Sequence, residues 1–289
     1  MPSDAAYDVT NRGVLAVLVP LGYDVYFGGI LAGVVEAAYE QGLRLSIATT
    51  RHEHAREAAV LEDLLDSTEG AVIILPEQSS DELERARDDG YPLAVVDPLL
   101  PLGDGVPSVA VANQSGAEQA IDHLVALGHR RIGVVSGPPG WVATEGRRGG
   151  WRAAFARAGI PEDPVLVADA DFEIGPGEAA AVQLLDLADP PTALFCCNDA
   201  MAIGAMRAAR ERDLRVPEDV SIVGFDDLPY ATIVMPALTT IRQPLAEMGR
   251  AGVGLVLRQL ASRNAEAPHI ELPTRLIVRE STAPARHAT

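Results

Sequence analysis

The sequence predicts an α/β protein of two doubly wound lobes, each built on a parallel sheet. Three observations carry this. Short runs of Val, Leu and Ile are apolar throughout, as strands covered on both faces require. Segments with apolar residues at helical spacing separate them. The alternation falls into two sets of about five strands, which predicts two similar lobes with right-handed crossovers.

The first set opens with VLAVLVP (14–20). Phe27, Ile30, Leu31, Val34, Val35 and Ala38 then line one face of a helix, with Gly42 as its expected C-cap. LRLSIAT (43–49) is the next strand, followed by a helix with Ala58, Leu61, Leu64 and Leu65 inward. GAVIIL (70–75), LAVVD (93–97) and SVAVA (108–112) continue the pattern. Ser115, with Glu118 three residues later, reads as a capping box opening the next helix, which Gly128 closes.

The second set runs RIGVVSG (131–137), PVLVAD (164–169), TALFCC (192–197), SIVGFD (221–226) and LTTIRQ (238–243). Its helices carry Trp151/Ala154/Phe155/Ala158, Ala180/Leu184/Leu185 and Met201/Ala205/Met206/Ala209. A long helix over 245–262 and the strand TRLIVRE (274–280) complete the ordered chain.

Bulk composition narrows the function. The 289 residues are 48% hydrophobic, enough for two cores without disulfide staples. A net charge of −18 repels a phosphate backbone, so these residues are not expected to grip nucleic acid. Two local exceptions are HRR at 129–131 and GRRGGWR at 146–152. The first is either solvated surface or a binding patch; in the second, Arg147 is a functional candidate. Cys196 and Cys197 are adjacent, so as strand neighbours they point to opposite faces and form no mutual disulfide. No signal-like start or membrane-length apolar run is present, so a reduced, cytoplasmic chain is expected.

In doubly wound sheets ligands bind beyond the carboxyl ends of the strands. The residues found there are Asp24, Tyr26 and Phe27 after the first strand, and Trp141 and Arg147 after 131–137. Phe172 follows 164–169, Asn198 and Asp199 follow TALFCC, Asp226 and Asp227 end SIVGF, and Gln243 ends LTTIR. Aromatic content is only 4%, yet four aromatics sit at these positions. Rings with amide, carboxylate and guanidinium groups suit a small polyhydroxylated or planar molecule. Packing competes for the rings, and helix capping competes for one of Asn198 and Asp199 and for Asp227.

Catalytic signatures are missing. The sequence has no GxxxxGK[ST] phosphate loop and no GxSxG elbow. GGILAG (28–33) lacks the dinucleotide spacing, and His52-Glu53-His54 is not a metal-binding HExxH, reading instead as a solvated helix end. The aspartate pair has no nearby His or Cys to complete a metal site. No catalytic residue, metal or cofactor is expected.

PPTALFCCNDAMAIGAMRAARERDLRVPEDVSIVGFDDLPYATIVMPALTTIRQP, HLVALGHRRIGVVSGPP (123–139) and Arg147-x-x-Gly150-Trp151 together resemble the LacI/GalR family of bacterial transcription regulators. The resemblance covers about residues 13–282, in order. It implies a type I periplasmic-binding-protein fold, with two lobes joined by three crossovers and clamping an effector. The implied N-terminal lobe is 13–127 plus 244–271, and the C-terminal lobe 128–243 plus 272–289. The implied effector contacts are Tyr26, Phe27, Trp141, Arg147, Phe172, Asn198, Asp226 and Gln243, with Asp24 a further candidate; Asp199 and Asp227 are assigned to cap and turn. The resemblance also implies a homodimer and a repressor acting on operator DNA. The leader at 1–12 is expected to be disordered and too short for the family's helix-turn-helix domain, so DNA binding belongs to a domain outside these residues. The expected effector is a sugar or related polyol. The alternative on the same fold is the solute-binding protein of a sugar transporter.

Overall fold

The computed structural model describes residues 13–20, 25–262 and 266–285. The expected 1–12 leader and Asp24 lie outside the described residues. In chain order the first elements are β1 (Val14–Val19), α1 (Val25–Glu40), β2 (Arg44–Thr49), α2 (His54–Leu65), β3 (Gly70–Ile74), α3 (Ser80–Asp88), β4 (Leu93–Val96) and β5 (Ser108–Val111). Then come α4 (Asn113–Ala126), β6 (Ile132–Ser136), α5 (Val142–Ala158), β7 (Val167–Asp169), α6 (Ile174–Leu185), β8 (Ala193–Cys196), α7 (Asp199–Arg210) and β9 (Ser221–Asp226). The last are β10 (Thr239–Arg242), α8 (Leu245–Ala261), β11 (His269–Leu272) and β12 (Arg275–Ile277).

The chain divides into two compact units. One holds the described residues up to Ala110 together with Leu245–Ile270; the other holds Val111–Pro244 and those from Glu271 onward. The chain therefore passes between them three times. The first sheet has strand order β11-β5-β4-β3-β1-β2 and the second β12-β10-β9-β8-β6-β7. Both wind the same way, and their order reverses between β1 and β3 and between β6 and β8. Strands β3, β4, β6, β8 and β9 are buried at every residue, which is why they are apolar except for Ser136, Ser221 and Asp226 at the ends of β6 and β9. The edge strand β2 is only half-covered.

Helix α4 moves the expected boundary from residue 127 to Ala110. Its Ala117, Ala120, Ile121 and Leu124 share one core with Val134, Trp151, Phe195 and Phe225 of the second unit. Gly150 on α5 permits the approach, because a Cβ there would lie 2.2 Å from the Gln114 carbonyl oxygen. The helix also begins at Asn113 rather than Ser115, so the expected capping box does not form its start. The expected strand at 164–169 is shortened: Pro164–Leu166 forms a 3-10 turn, with Asp163 accepting from Val165 N at 3.1 Å, and β7 follows. Sequence reading did not resolve α3, where Leu83 is the one buried residue, or the short β11.

This packing makes a paired prediction. Gly150→Ala forces α4 and α5 apart and costs about 1–3 kcal/mol. Gly149→Ala has only ordinary 3.7 Å contacts to meet, so it leaves stability unchanged or raises it by about 0.5–1 kcal/mol. Urea unfolding of both variants checks the contrast.

Candidate functional site

The end of β9 is where the second unit departs from ordinary backbone. Asp226 has φ +117° and Asp227 φ +60°. Non-glycine residues hold such angles only when their surroundings over-determine them. The two carboxylates face different partners. Asp226 Oδ1 accepts from Gln243 Nε2 at 2.6 Å and lies 3.9 Å from Arg147 Nη2. Asp227 instead accepts from Arg242 Nε and Arg279 Nη2, which tie the turn to the strands beyond it.

Arg147 is the buried cation of this cluster, 4% exposed on α5. Its Nε donates to Asn113 Oδ1 at 2.9 Å and its Nη1 to the Cys197 carbonyl oxygen. The guanidinium carbon stands 3.9 Å from the centre of the Phe225 ring and 5.7 Å from that of Phe172. Burial of a cation is tolerated only with such partners. Phe172, at φ +26°, packs 5.6 Å from Trp141, the residue that precedes α5. Gly137 lets that ring reach the end of β6, since a Cβ there would lie 2.3 Å from Phe172 Cζ. Asn198 Nδ2 donates to the Phe172 carbonyl oxygen at 2.9 Å. Trp141, Phe172, Arg147, Asn198, Asp226 and Gln243 thus form one connected set within this unit. A shallow depression lined by Pro138, Pro139, Asp169, Asp171 and Gln183 includes none of the six.

The first unit has its own strand-end cluster. Tyr26 OH donates to Asp97 Oδ2 at 2.7 Å, and the Tyr26 and Phe27 rings meet edge to face at 5.5 Å. Asp97 ends β4 with φ +57°, another strained strand-end aspartate.

Comparison with known proteins decides what carries these clusters. The family model described as a periplasmic binding protein-like domain matches residues 121–282. The HTH-type transcriptional repressor CytR of Escherichia coli is 33% identical over 276 residues, covering 94% of this chain and 80% of that protein. The chain belongs to the LacI/GalR family of transcriptional regulators. A solved complex of the transcriptional regulator CelR with cellobiose aligns with TM-score 0.85 and 33% identity, covering 94% of this chain and 86% of that one. The lac repressor dimer bound to operator and an anti-inducer aligns with TM-score 0.83 and 27% identity, covering 95% of this chain and 96% of that one.

Within this LacI/GalR chain, the assignment of cap and contact at 198–199 needs correction. Asn198, not Asp199, caps α7: its Oδ1 accepts from Met201 N at 2.8 Å. Asp199 is fully buried, and accepts from Leu228 N at 2.8 Å and from Thr240 Oγ1. Burial first, then the nearby Asp226, holds its carboxyl well above the usual carboxylate range. Asp199 is therefore an internal brace between α7, β10 and the aspartate turn. Burial likewise pushes the Cys197 thiol up to about 12, which keeps it from acting as a thiolate nucleophile.

Two residues of these clusters escaped the sequence reading, Asn113 and Asp97. Each stands at a strand's carboxyl end, so the test that found Asp226 applies to them equally. The basic stretch at 129–131 serves structure. Buried His129 bonds Thr192, Ser221 and the Ala283 carbonyl, while Arg131 pairs with Asp189 and Asp163. Among the described residues, no group of three His, Cys, Asp or Glu could hold a metal ion, and no helix is long and apolar enough to cross a membrane.

The cap and the brace differ in expected cost. Asn198→Ala removes a helix cap, worth about 1 kcal/mol. Asp199→Ala orphans the buried Leu228 N–H and Thr240 hydroxyl, at about 1–3 kcal/mol for each group left unsatisfied. Chemical denaturation of the two variants should rank Asp199→Ala as the more damaging.

Proposed function

We propose that this regulator senses a small sugar or related polyol through Tyr26, Phe27, Trp141, Arg147, Phe172, Asn198, Asp226 and Gln243. One observation carries the reading. An aromatic pair, Trp141 and Phe172, adjoins a polar edge of Arg147, Asp226 and Gln243. Rings cover the apolar face of a pyranose or furanose, while carboxylate, amide and guanidinium groups bond its hydroxyls. The cellobiose bound to CelR, a relative of the same fold, supports a sugar for this chain.

Operator binding through a helix-turn-helix domain, and action as a homodimer, belong to the same proposal. Exposed apolar residues support self-association: Val35, Tyr39 and Ile47 in the first unit, Ile233 and Met235 in the second. An effector controls operator binding only through different affinities for two arrangements of the dimer.

A thermal-shift screen of cellobiose, ribose, sugar phosphates and nucleobases identifies the effector class, with calorimetry on each hit. Asp226→Ala is expected to weaken the confirmed effector at least tenfold, about 1.4 kcal/mol, with the fold retained. Unchanged affinity in that variant would remove Asp226 from the site. Stabilisation by nucleobases alone would overturn the sugar reading.

A further inference from the structure

Glu57 stands where a helix favours an acid, in its first turn, yet it is buried, which is unusual for a carboxylate. It sits in the first turn of α2 and is 1% exposed. Its Oε1 accepts from Glu77 N at 3.0 Å and Gln78 N at 3.2 Å, both in the loop after β3. Its Oε2 is buried and has no hydrogen-bond partner among the described residues. Thr50 Oγ1 and Gln78 Oε1 are buried and unpartnered in the same way. An ionised carboxylate here only accepts, and of these groups the Thr50 hydroxyl is the one donor that can serve its buried oxygen. A neutral acid carries an O–H at that position, and hydroxyl and amide oxygens can accept it.

The surrounding groups stitch the same two loops. His52 Nδ1 lies 3.1 Å from Glu77 Oε1, and His54 Nε2 lies 3.0 Å from Glu82 Oε1. Arg51 and His52 hold φ +61° and +57°, and Leu75 holds +49°, so both loops are locally strained. Glu77 is the like charge that faces Glu57 from the second loop, while Glu53, His54 and Arg56 share its own helix end. Arg56 turns away, donating Nε to the Thr49 carbonyl at 2.9 Å. From α3, Glu82 is engaged by Ser79 and His54. The β1 and β3 strands bring no titratable side chain.

We infer that Glu57 is a proton-operated clasp between the loops after β2 and β3, closed when its carboxyl is neutral and loosened when it ionises.

Burial pushes the Glu57 carboxyl up to about 7 from an ordinary 4.5. A folded value above the unfolded one means stability fully present below the unfolded value and lost as pH rises through the folded one. The hydrogen bond that His54 Nε2 donates to Glu82 raises His54 as well, so its contribution is lost in the same direction. The His52 ring is 6.2 Å from that of Phe27, so the clasp borders a proposed effector contact.

The test needs no effector, and so stands apart from the sugar proposal. Hydrogen exchange of the full chain is followed at pH 6 and pH 8 in peptides covering 50–57 and 75–79, corrected for intrinsic rates. If opening returns Glu57 to water, its opening constant rises roughly tenfold between these values. Glu57→Gln mimics the neutral acid and should show no such rise. Equal pH dependence in both proteins overturns the inference. If the variant does not fold, carbon-13 titration of the Glu57 carboxyl in the wild-type chain decides. A midpoint near 7 supports the clasp, and one below about 5 sinks it.

Discussion

The candidate site of the second unit depends on keeping one buried guanidinium satisfied. Arg147 cannot shed its charge and cannot reach bulk water at 4% exposure. Its donors must therefore find acceptors, and they find them on two segments while a carboxylate 3.9 Å away on a third balances the charge. Asn113 opens α4, Cys197 follows β8, and Asp226 ends β9. Phe225 supplies a ring face to the flat cation. The requirement acts on the fold as well as the site. It holds α4 against α5, which is the packing that assigns α4 to this unit rather than to the first.

Backbone strain collects at the same edge. Asp97, Phe172 and Asp226 are non-glycine residues with positive φ, and each lies at or just beyond a strand's carboxyl end. The strain re-aims side chains that a regular strand would point elsewhere. In Asp226 and Asp227, two successive left-handed conformations send adjacent carboxylates to opposite duties. One meets Arg147 and Gln243; the other is locked by Arg242 and Arg279. An adjacent aspartate pair is therefore one contact candidate and one brace.

The buried strands were legible because parallel strands covered on both faces are apolar along their length, as GAVII and LAVV are. The candidate cluster was open to sequence reading because ligands of such sheets bind beyond the carboxyl ends of the strands, where these polar side chains fall. Three things were not legible. The lobe boundary rests on Gly150 meeting Gln114, a helix contact that has no periodic signature. That Asn198 caps α7 while Asp199 braces the turn depends on one residue of helix phase, which composition cannot supply. Glu57 carries no signal in the sequence, because the loop that buries it comes twenty residues later.

That last failure separates the two units chemically. They share one winding order, yet their strand ends solve the same desolvation problem in different ways. The second unit buries a permanent cation and surrounds it with acceptors and rings. The first unit buries an acid whose charge is optional, and the low-cost response to burial is to keep its proton. The second unit adds a buried acid of the same kind: Asp199 is also held well above the usual carboxylate range, and it braces the turn that carries Asp226. Protons can therefore act on both units, through Glu57 on the loops after β2 and β3 and through Asp199 on the aspartate turn.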